Sequence, residues 1–188
     1  MKKNFRDLLP LVAICLLAAM LLAVFNLITK GPIEENAARA AAETRTRLLA
    51  SASTFEQVEL EEGSAMDSCY EGFDAEGNSV GYVVETTVGG YGGEIVVTVG
   101  MDSENVITGI NVGGENFSET AGLGAQALTN WKFLIQFLNS SETFEIGSNV
   151  DALTGATVTS KAVARSVNSA IAYVTGADTS SGATSWGG

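Results

Sequence analysis

"GEIVVTVGMDSENVITGINVGG", residues 93–114, contains two β-rich runs separated by a short polar segment. In its first half Ile95, Val97 and Val99 alternate with their neighbours, which is the two-residue period of a half-buried strand. The polar residues around Ser103-Glu104 indicate a turn, and a second β-rich run follows them. The stretch therefore predicts an antiparallel hairpin with one face in a core.

The neighbouring segments complete the fold class. Upstream, residues 67–88 predict another hairpin, with Gly77-Asn78 at its turn. Downstream, residues 123–139 have a helical pattern, and a last helix is predicted from Val158 to Val174. Strands followed by helices without βαβ alternation indicate an α+β domain with an antiparallel sheet and packed helices. The apolar positions that share one face of the last helix are Val163, Val167, Ala170, Ile171 and Val174.

The N-terminus carries a long uncharged segment, Leu8 to Ile28. Its length matches the ~20 residues that a helix needs to cross a bilayer. Lys2, Lys3 and Arg6 precede it, so the positive-inside rule predicts a cytoplasmic N-terminus and an extracytoplasmic main domain. A signal peptide is the alternative. The apolar run is longer than a typical signal core and has no small-x-small cleavage site at its polar end, which favours a single-pass anchor in the cell (inner) membrane.

Four segments are expected. Residues 1–30 form the cytoplasmic N-terminus and the anchor, and residues 31–54 form a juxtamembrane helix or stalk that begins near Pro32. Residues 55–175 form the main domain. Residues 176–188 form a flexible tail rich in Gly and Ser.

Composition excludes some function classes. The formal net charge is −12, and an acidic surface of this size disfavours nucleic acid as a partner. The two cysteines, Cys15 and Cys69, form no disulfide framework. Both are expected to be inert small residues.

"DALTGATVTS", residues 151–160, gathers hydroxyl side chains where the last helix begins. Hydroxyls at such a position usually cap the helix, although a helix N-terminus can also hold a phosphate. The chain has no histidine, so Asp151 is the nearest candidate base, and Thr157 is not expected to activate itself as a nucleophile.

Two glycine-rich segments lie upstream. In "ENFSETAGLGAQALTNW", residues 115–131, glycines would allow close backbone approach to a flat or phosphorylated ligand, although by itself the segment is better explained as a plain turn. "VGGYGG", residues 88–93, either presents the Tyr91 ring at a flexible tip or simply connects two strands.

Together these segments resemble a known family. "DALTGAT", residues 151–157, fits the pattern Asp-x-x-(Ser/Thr)-Gly-Ala-(Thr/Ser), whose last residue is joined through its hydroxyl to the phosphate of FMN. "SETAGLG", residues 118–124, resembles the family's Glu-Thr-x-Gly-Leu-Gly element, with Ala121 where many relatives have Pro. Over residues 1–175 the chain resembles the G subunit of the Rnf complex, a membrane ferredoxin:NAD oxidoreductase that moves Na⁺ or H⁺. The related C subunit of the Na⁺-pumping NADH:quinone oxidoreductase shares the motif.

The resemblance implies a cofactor and its site. FMN would be covalently bound to Thr157 by a separate flavin transferase, which takes it from FAD with Mg²⁺, so the chain itself needs no base. No catalytic residue and no metal ligand are implied. The implied recognition and flavin-binding residues are Asp151, Thr154, Gly155, Ala156, Glu119, Thr120, Gly122, Leu123 and Gly124.

The resemblance also implies a role. The chain would be an electron-relay subunit of an ion-translocating oxidoreductase, without independent catalysis. Its partners would be the membrane subunits A, D and E, the ferredoxin- and NADH-reacting subunits B and C, the flavin transferase and the lipid bilayer. A stand-alone anchored flavoprotein and a non-redox anchored binding module remain as alternatives.

A second match to the flavin pattern lies in the tail. "DTSSGAT", residues 178–184, fits it letter for letter. No helical pattern follows Thr184, and the glycine-rich loop is farther away along the chain. Thr157 is therefore the predicted site.

Overall fold

The computed structural model describes residues 2–61, 63–114 and 116–176. The second flavin pattern at 178–184 and the predicted tail beyond Gly176 lie outside these residues. The chain forms two units, Met1–Glu43 and Thr44–Gly188. In chain order its elements are α1 (Lys2–Leu48), β1 (Thr54–Gln57), β2 (Ser68–Phe73), β3 (Ser79–Gly89), β4 (Glu94–Asp102), β5 (Ile107–Gly113), a 3₁₀ helix (Gly124–Leu128), α2 (Trp131–Leu134), a second 3₁₀ helix (Ile135–Phe137) and α3 (Thr157–Thr175).

Helix α1 contains the predicted membrane segment. Among the described residues, it is the one helix that is long and apolar enough to cross a bilayer, with a mean hydropathy of 2.6 in its most apolar part. The prediction that a new helix begins near Pro32 is wrong, because Pro10 and Pro32 both lie inside α1. Each proline removes one intrahelical hydrogen bond, and the Ala- and Leu-rich sequence on either side continues the helix.

The five strands form one antiparallel sheet in the order β1-β2-β3-β4-β5. Both predicted hairpins are confirmed. The β2–β3 turn contains Gly77 at φ +85°, a conformation that glycine adopts without strain. In the β4–β5 turn, Oδ1 of Asp102 accepts hydrogen bonds from the N–H groups of Glu104 and Val106, at 2.9 and 3.0 Å.

The main core lies between this sheet and α3. Ile95, Val97 and Val99 are fully buried in it, as their alternation predicts. The helix packs on the same face of the sheet. The predicted apolar stripe of α3 is confirmed in this cluster, with Val163, Val167, Ala170 and Ile171 buried and Val174 partly buried.

The opposite face of the sheet is covered by the end of α1 and the turn that follows it. A Cβ on Gly100 would lie 2.7 Å from the carbonyl oxygen of Leu48, so the backbone of α1 approaches β4 as closely as glycine permits. The hydroxyl of Thr108 donates to the same carbonyl at 2.5 Å. The residues of this second cluster are Leu48, Leu49, Ala52 and Val83.

Polar contacts hold the same turn of α1 in place. The guanidinium of Arg45 lies 4.0 Å above the ring centroid of Tyr70, a cation–π contact. Arg47 donates to the side-chain oxygen of Asn111 at 2.9 Å. The last turn of α1 is therefore part of the folded unit that begins at Thr44.

The continuous helix expected over residues 123–139 is not formed. Two 3₁₀ segments and the single turn of α2 take its place. Asn130 interrupts the pattern because its side chain accepts a hydrogen bond from the N–H of Phe133 and so starts a new helix. The edge-to-face ring contacts of Phe137 with Phe133 and Phe144 supply the tertiary packing that overrides helix propensity.

We predict that Leu49→Ala destabilises the unit by about 2–5 kcal/mol, the usual cost of emptying a buried leucine site. Leu49 is 1% exposed, whereas Leu128 is 40% exposed, so Leu128→Ala is the matched control and is expected to cost clearly less. Urea unfolding of the full chain in detergent, followed by circular dichroism, measures both. Equal small losses would show that the end of α1 contributes nothing to the fold.

Candidate functional site

The site is built where the chain turns into α3. Gly155 has φ +73°, which lets the backbone reverse just before the helix. Ala156 occupies the N-cap position, and no side chain caps the helix there. The prediction that the motif hydroxyls cap this helix is therefore wrong.

The motif hydroxyls take other roles. Thr154 and Thr157 are exposed, whereas Thr159 and Ser160 are buried. The Ser160 hydroxyl donates to the Ala156 carbonyl at 2.9 Å and accepts from the Leu153 N–H at 2.9 Å. It therefore ties the loop to the helix.

The start of α3 presents unpaired amides. The N–H of Ser160 donates to the Ala156 carbonyl at 2.9 Å, so the helical hydrogen-bond ladder begins there. The N–H groups of Thr157, Val158 and Thr159 precede that ladder and have no helical acceptor. Since the positive end of the helix dipole lies at the same place, the exposed hydroxyl of Thr157 stands at a position that favours an anion.

Asp151 is exposed, and its backbone is held by a residue that the motif does not include. The Asp151 N–H donates to Oε1 of Gln136 at 2.8 Å, and its carbonyl accepts from Nε2 of Gln136 at 3.4 Å. The Asp151 carboxylate therefore remains at the surface. No sequence signal singled out Gln136, because its pairing with Asp151 arises only in the folded chain.

Glu119 is buried, with 9% of its surface exposed. Its Oε1 accepts hydrogen bonds from the N–H groups of Tyr91 and Gly92, at 2.7 and 2.9 Å. Its Oε2 accepts from the hydroxyl of Thr159 at 2.7 Å. We call Glu119, Tyr91, Gly92 and Thr159 the Glu119 junction. Its carboxylate connects the glycine-rich loop, the β3–β4 turn and the start of α3.

The loop after Glu119 lies beside the start of α3. The Thr120 carbonyl accepts hydrogen bonds from the N–H groups of Leu123 and Ala125, at 3.1 and 3.2 Å. Gly122 has φ +77°, and its carbonyl accepts from the side chain of Gln126. A Cβ on Gly155 would lie 2.9 Å from Leu123 Cδ2, so the two predicted site segments are in contact.

The predicted site residues differ in how far they are exposed to solvent. Leu123 and Val158 leave 42% and 40% of their surfaces exposed and give this end of α3 an apolar side. The roles assigned to individual residues remain predictions. The exposed members are Asp151, Thr154, Gly155, Thr157, Thr120, Gly122 and Leu123, and the buried members are Ala156, Glu119 and Gly124.

The segment at 88–93 forms a hydrogen-bonded turn between β3 and β4. The Gly90 N–H donates to the Gly93 carbonyl at 2.8 Å. The Ser118 hydroxyl donates to the Gly92 carbonyl at 2.6 Å. Tyr91 is 75% exposed, while its backbone N–H faces Glu119. Consecutive amides of this kind form a concave anion-binding nest, and Glu119 fills it.

The buried cysteine has no place in this site. Burial, and secondarily the nearby charge of Glu71, raises the pKa of Cys69 to about 11. Its thiol therefore stays protonated at neutral pH, as expected for an inert packing residue. Within residues 2–61, 63–114 and 116–176, no group of three or more His, Cys, Asp and Glu side chains could hold a metal ion.

Comparison with known proteins gives consistent matches. The FMN-binding domain family matches residues 90–172, a range that takes in the Glu119 junction, the motif loop and most of α3. The G subunit of the Na(+)-translocating ferredoxin:NAD(+) oxidoreductase complex of Acetobacterium woodii is 36% identical to this chain. The alignment covers 90% of this chain and 91% of that protein.

A second relative and one solved structure are also similar to this chain. The G subunit of the ion-translocating oxidoreductase complex of Methanosarcina acetivorans is 35% identical over 182 residues, covering 92% of this chain and 95% of that protein. The crystal structure of Shewanella oneidensis NqrC is 20% identical, with a TM-score of 0.44, and the match covers 63% of this chain and 65% of that chain. That structural likeness is too weak to carry an argument.

We predict that alanine substitutions of two buried serines of α3 change the free energy of unfolding differently. Ser160→Ala leaves the buried Leu153 N–H without its acceptor and is expected to cost about 1–3 kcal/mol. Ser166 is 0% exposed, and its hydroxyl has no hydrogen-bond partner among the described residues. Ser166→Ala should therefore be neutral or stabilising, since it removes an unsatisfied polar group.

Thermal unfolding of the two serine variants alongside the unsubstituted chain makes the comparison. Equal losses for both would contradict the assigned role of the Ser160 hydroxyl.

Proposed function

This chain belongs to the family of G subunits of ion-translocating oxidoreductase complexes, and from that premise we propose that it carries FMN covalently on Thr157 and relays electrons within an Rnf complex. That the chain is an FMN-binding electron-transfer subunit follows from the family and from the domain match over residues 90–172. The observation that supports the attachment site is the exposed Thr157 at the first position of α3, a helix start that no side chain caps.

The residues present fit an FMN phosphate. The N–H groups of Thr157 and Val158, both exposed residues, precede the helical hydrogen-bond ladder, so they could bind phosphate oxygens. Gly155 has no side chain, and Ala156 is buried, so neither residue adds a bulky exposed group beside these amides.

Attachment needs an enzyme, because the chain offers Thr157 no histidine. In the proposed step Thr157 Oγ forms a bond to the FMN phosphorus of FAD, the phosphoanhydride bond of FAD breaks, and AMP leaves. The hydroxyl proton passes to a base of the flavin transferase. Asp151, Thr154, Gly155 and Ala156 are the residues that the transferase would read. The first three are exposed, whereas Ala156 is buried.

Once the ester has formed, the chain's own task is to hold and orient the group. The first amides of α3 would hold its phosphate, and the exposed apolar surfaces of Leu123 and Val158 would offer contacts to a flat ring. When bound, FMN supplies the chemistry of accepting and donating electrons. The protein supplies position and an apolar flank.

The proposed setting is the cell membrane. Helix α1 anchors the chain by its apolar part. Lys2, Lys3 and Arg6 keep the N-terminus on the cytoplasmic side, so the flavin domain lies on the extracytoplasmic side. There it would exchange electrons with the membrane subunits A, D and E and, through them, with the ferredoxin- and NADH-reacting subunits B and C.

We predict that Thr157→Ala abolishes covalent flavin when the chain is co-expressed with its transferase, because no hydroxyl is left to form the ester. Thr157→Ser should retain it. Thr184→Ala, in the second matching motif, is the matched control and should also retain it. In-gel flavin fluorescence and peptide mass spectrometry read the result. Covalent FMN on the Thr157→Ala chain would show that the acceptor is another residue.

We also predict that the chain, extracted from native membranes in mild detergent, co-purifies with the other subunits of the complex. The measurement is mass spectrometry of proteins captured with the tagged chain, against a capture from untagged cells. A flavoprotein recovered alone would contradict the role in a complex and favour the stand-alone electron carrier.

A further inference from the structure

The Glu119 junction joins the site to the β3–β4 hairpin of the sheet, whose turn contains Tyr91 and Gly92. Both carboxylate oxygens are already used. Oε1 accepts from the N–H groups of Tyr91 and Gly92, and Oε2 accepts from the hydroxyl of Thr159. With three hydrogen bonds and 9% of its surface exposed, Glu119 presents little of its carboxylate to a ligand. Its contacts point instead to a role through the groups that it holds.

Glycines on both sides make room for this carboxylate. A Cβ on Gly90 would collide with Oε1, and a Cβ on Gly124 would collide with Oε2. The Gly124 Cβ would also lie 2.7 Å from the Thr159 hydroxyl. One glycine in each upstream segment, Gly90 and Gly124, is thus explained by the fit around the Glu119 carboxylate.

The junction fixes the first turn of α3. Thr159 follows Thr157 by two residues, and at 3.6 residues per turn this places them about 200° apart around the helix axis. Thr159 is 1% exposed and faces inward, so Thr157 faces outward. No side chain caps this helix. The Ser160 hydroxyl binds the adjacent motif loop, whereas the bond from Thr159 to Glu119 connects the first turn to the distant glycine-rich loop.

We infer that Glu119 is a positioning residue for flavin attachment. By holding Thr159, its carboxylate fixes the rotation of the first turn of α3 and with it the direction in which Thr157 Oγ meets the transferase-bound FAD. The inference rests on the proposed function, since it requires Thr157 to be the acceptor. It assigns Glu119 a role through Thr159 instead of a direct contact with the flavin.

The test measures transfer of FMN to the full chain in detergent, with purified transferase, FAD and Mg²⁺. Thr159→Val keeps the shape of the side chain and removes its hydroxyl. Its turnover number at saturating chain should fall at least about tenfold with little change in KM, because a misplacement of about 1 Å can cost about 10²-fold. Thr159→Ser restores the hydroxyl and should restore the rate.

The matched control is Thr175→Val. Thr175 lies on the last turn of the same helix, and its hydroxyl donates to the Ile171 carbonyl at 2.8 Å. Removing that hydroxyl changes the same side chain at the other end of α3 and should leave transfer unchanged. Circular dichroism of each variant at the assay temperature gives its folded fraction, so that every rate is expressed per folded chain.

Glu119 supplies a second pair of variants in case Thr159→Val does not fold. Glu119→Gln keeps one oxygen for the hairpin amides and places an NH₂ group beside the Thr159 hydroxyl, so it should transfer at close to the unsubstituted rate. Glu119→Ala should be as slow as Thr159→Val.

The outcomes separate the two proposals. Slow transfer to folded Thr159→Val or Glu119→Ala, with recovery in Thr159→Ser and Glu119→Gln, supports the positioning role. Normal turnover by folded Thr159→Val overturns it, as does a folded Glu119→Gln that is as slow as Glu119→Ala. If the unsubstituted chain accepts no flavin at Thr157, the proposed function itself fails, which is a different result from the loss of the positioning role alone.

Discussion

The buried carboxylate of Glu119 is the interaction on which the rest of the site depends. A carboxylate removed from water is tolerated only when hydrogen bonds replace its hydration. Here the donors are two amides of the β3–β4 turn and the Thr159 hydroxyl. These groups are far apart along the chain, so Glu119 can be satisfied only when the hairpin, the glycine-rich loop and the start of α3 have come together. The site is therefore assembled by the same contacts that complete the domain.

The hydroxyl side chains of the motif serve two separate purposes, holding the start of α3 and presenting a hydroxyl to solvent. Thr159 and Ser160 face inward and hold the start of α3 in place, whereas Thr157 faces solvent and is left free to react. The helix dipole and the unpaired amides favour a phosphate at that position. In the proposed extracytoplasmic setting, the proposed ester would also prevent the cofactor from being lost by dilution.

Much of the fold could be predicted from the sequence, because the residues that decide it are periodic. The alternation in β4 and the apolar stripe of α3 identified the sheet and its covering helix. The motif loop was found by its resemblance to a family, and the family membership is confirmed. These features are local in sequence, so a pattern can report them.

What the sequence could not predict depends on contacts between distant residues. Asn130 starts a new helix where propensity favoured a continuous one, Gln136 holds the backbone of Asp151, and the end of α1 covers the second face of the sheet. The capping role expected for the motif hydroxyls was wrong because Glu119 and the Ala156 carbonyl provide better partners for Thr159 and Ser160.

A high-resolution structure of the chain, purified from its native complex, would show directly which residue bears the flavin. We expect continuous density from Thr157 Oγ to an FMN phosphate at the first amides of α3, with Glu119 still bound to Tyr91, Gly92 and Thr159. Flavin density on another residue would rule out Thr157 as the acceptor and overturn the proposed site. A Glu119 side chain that has left the hairpin amides to contact the flavin would contradict its positioning role.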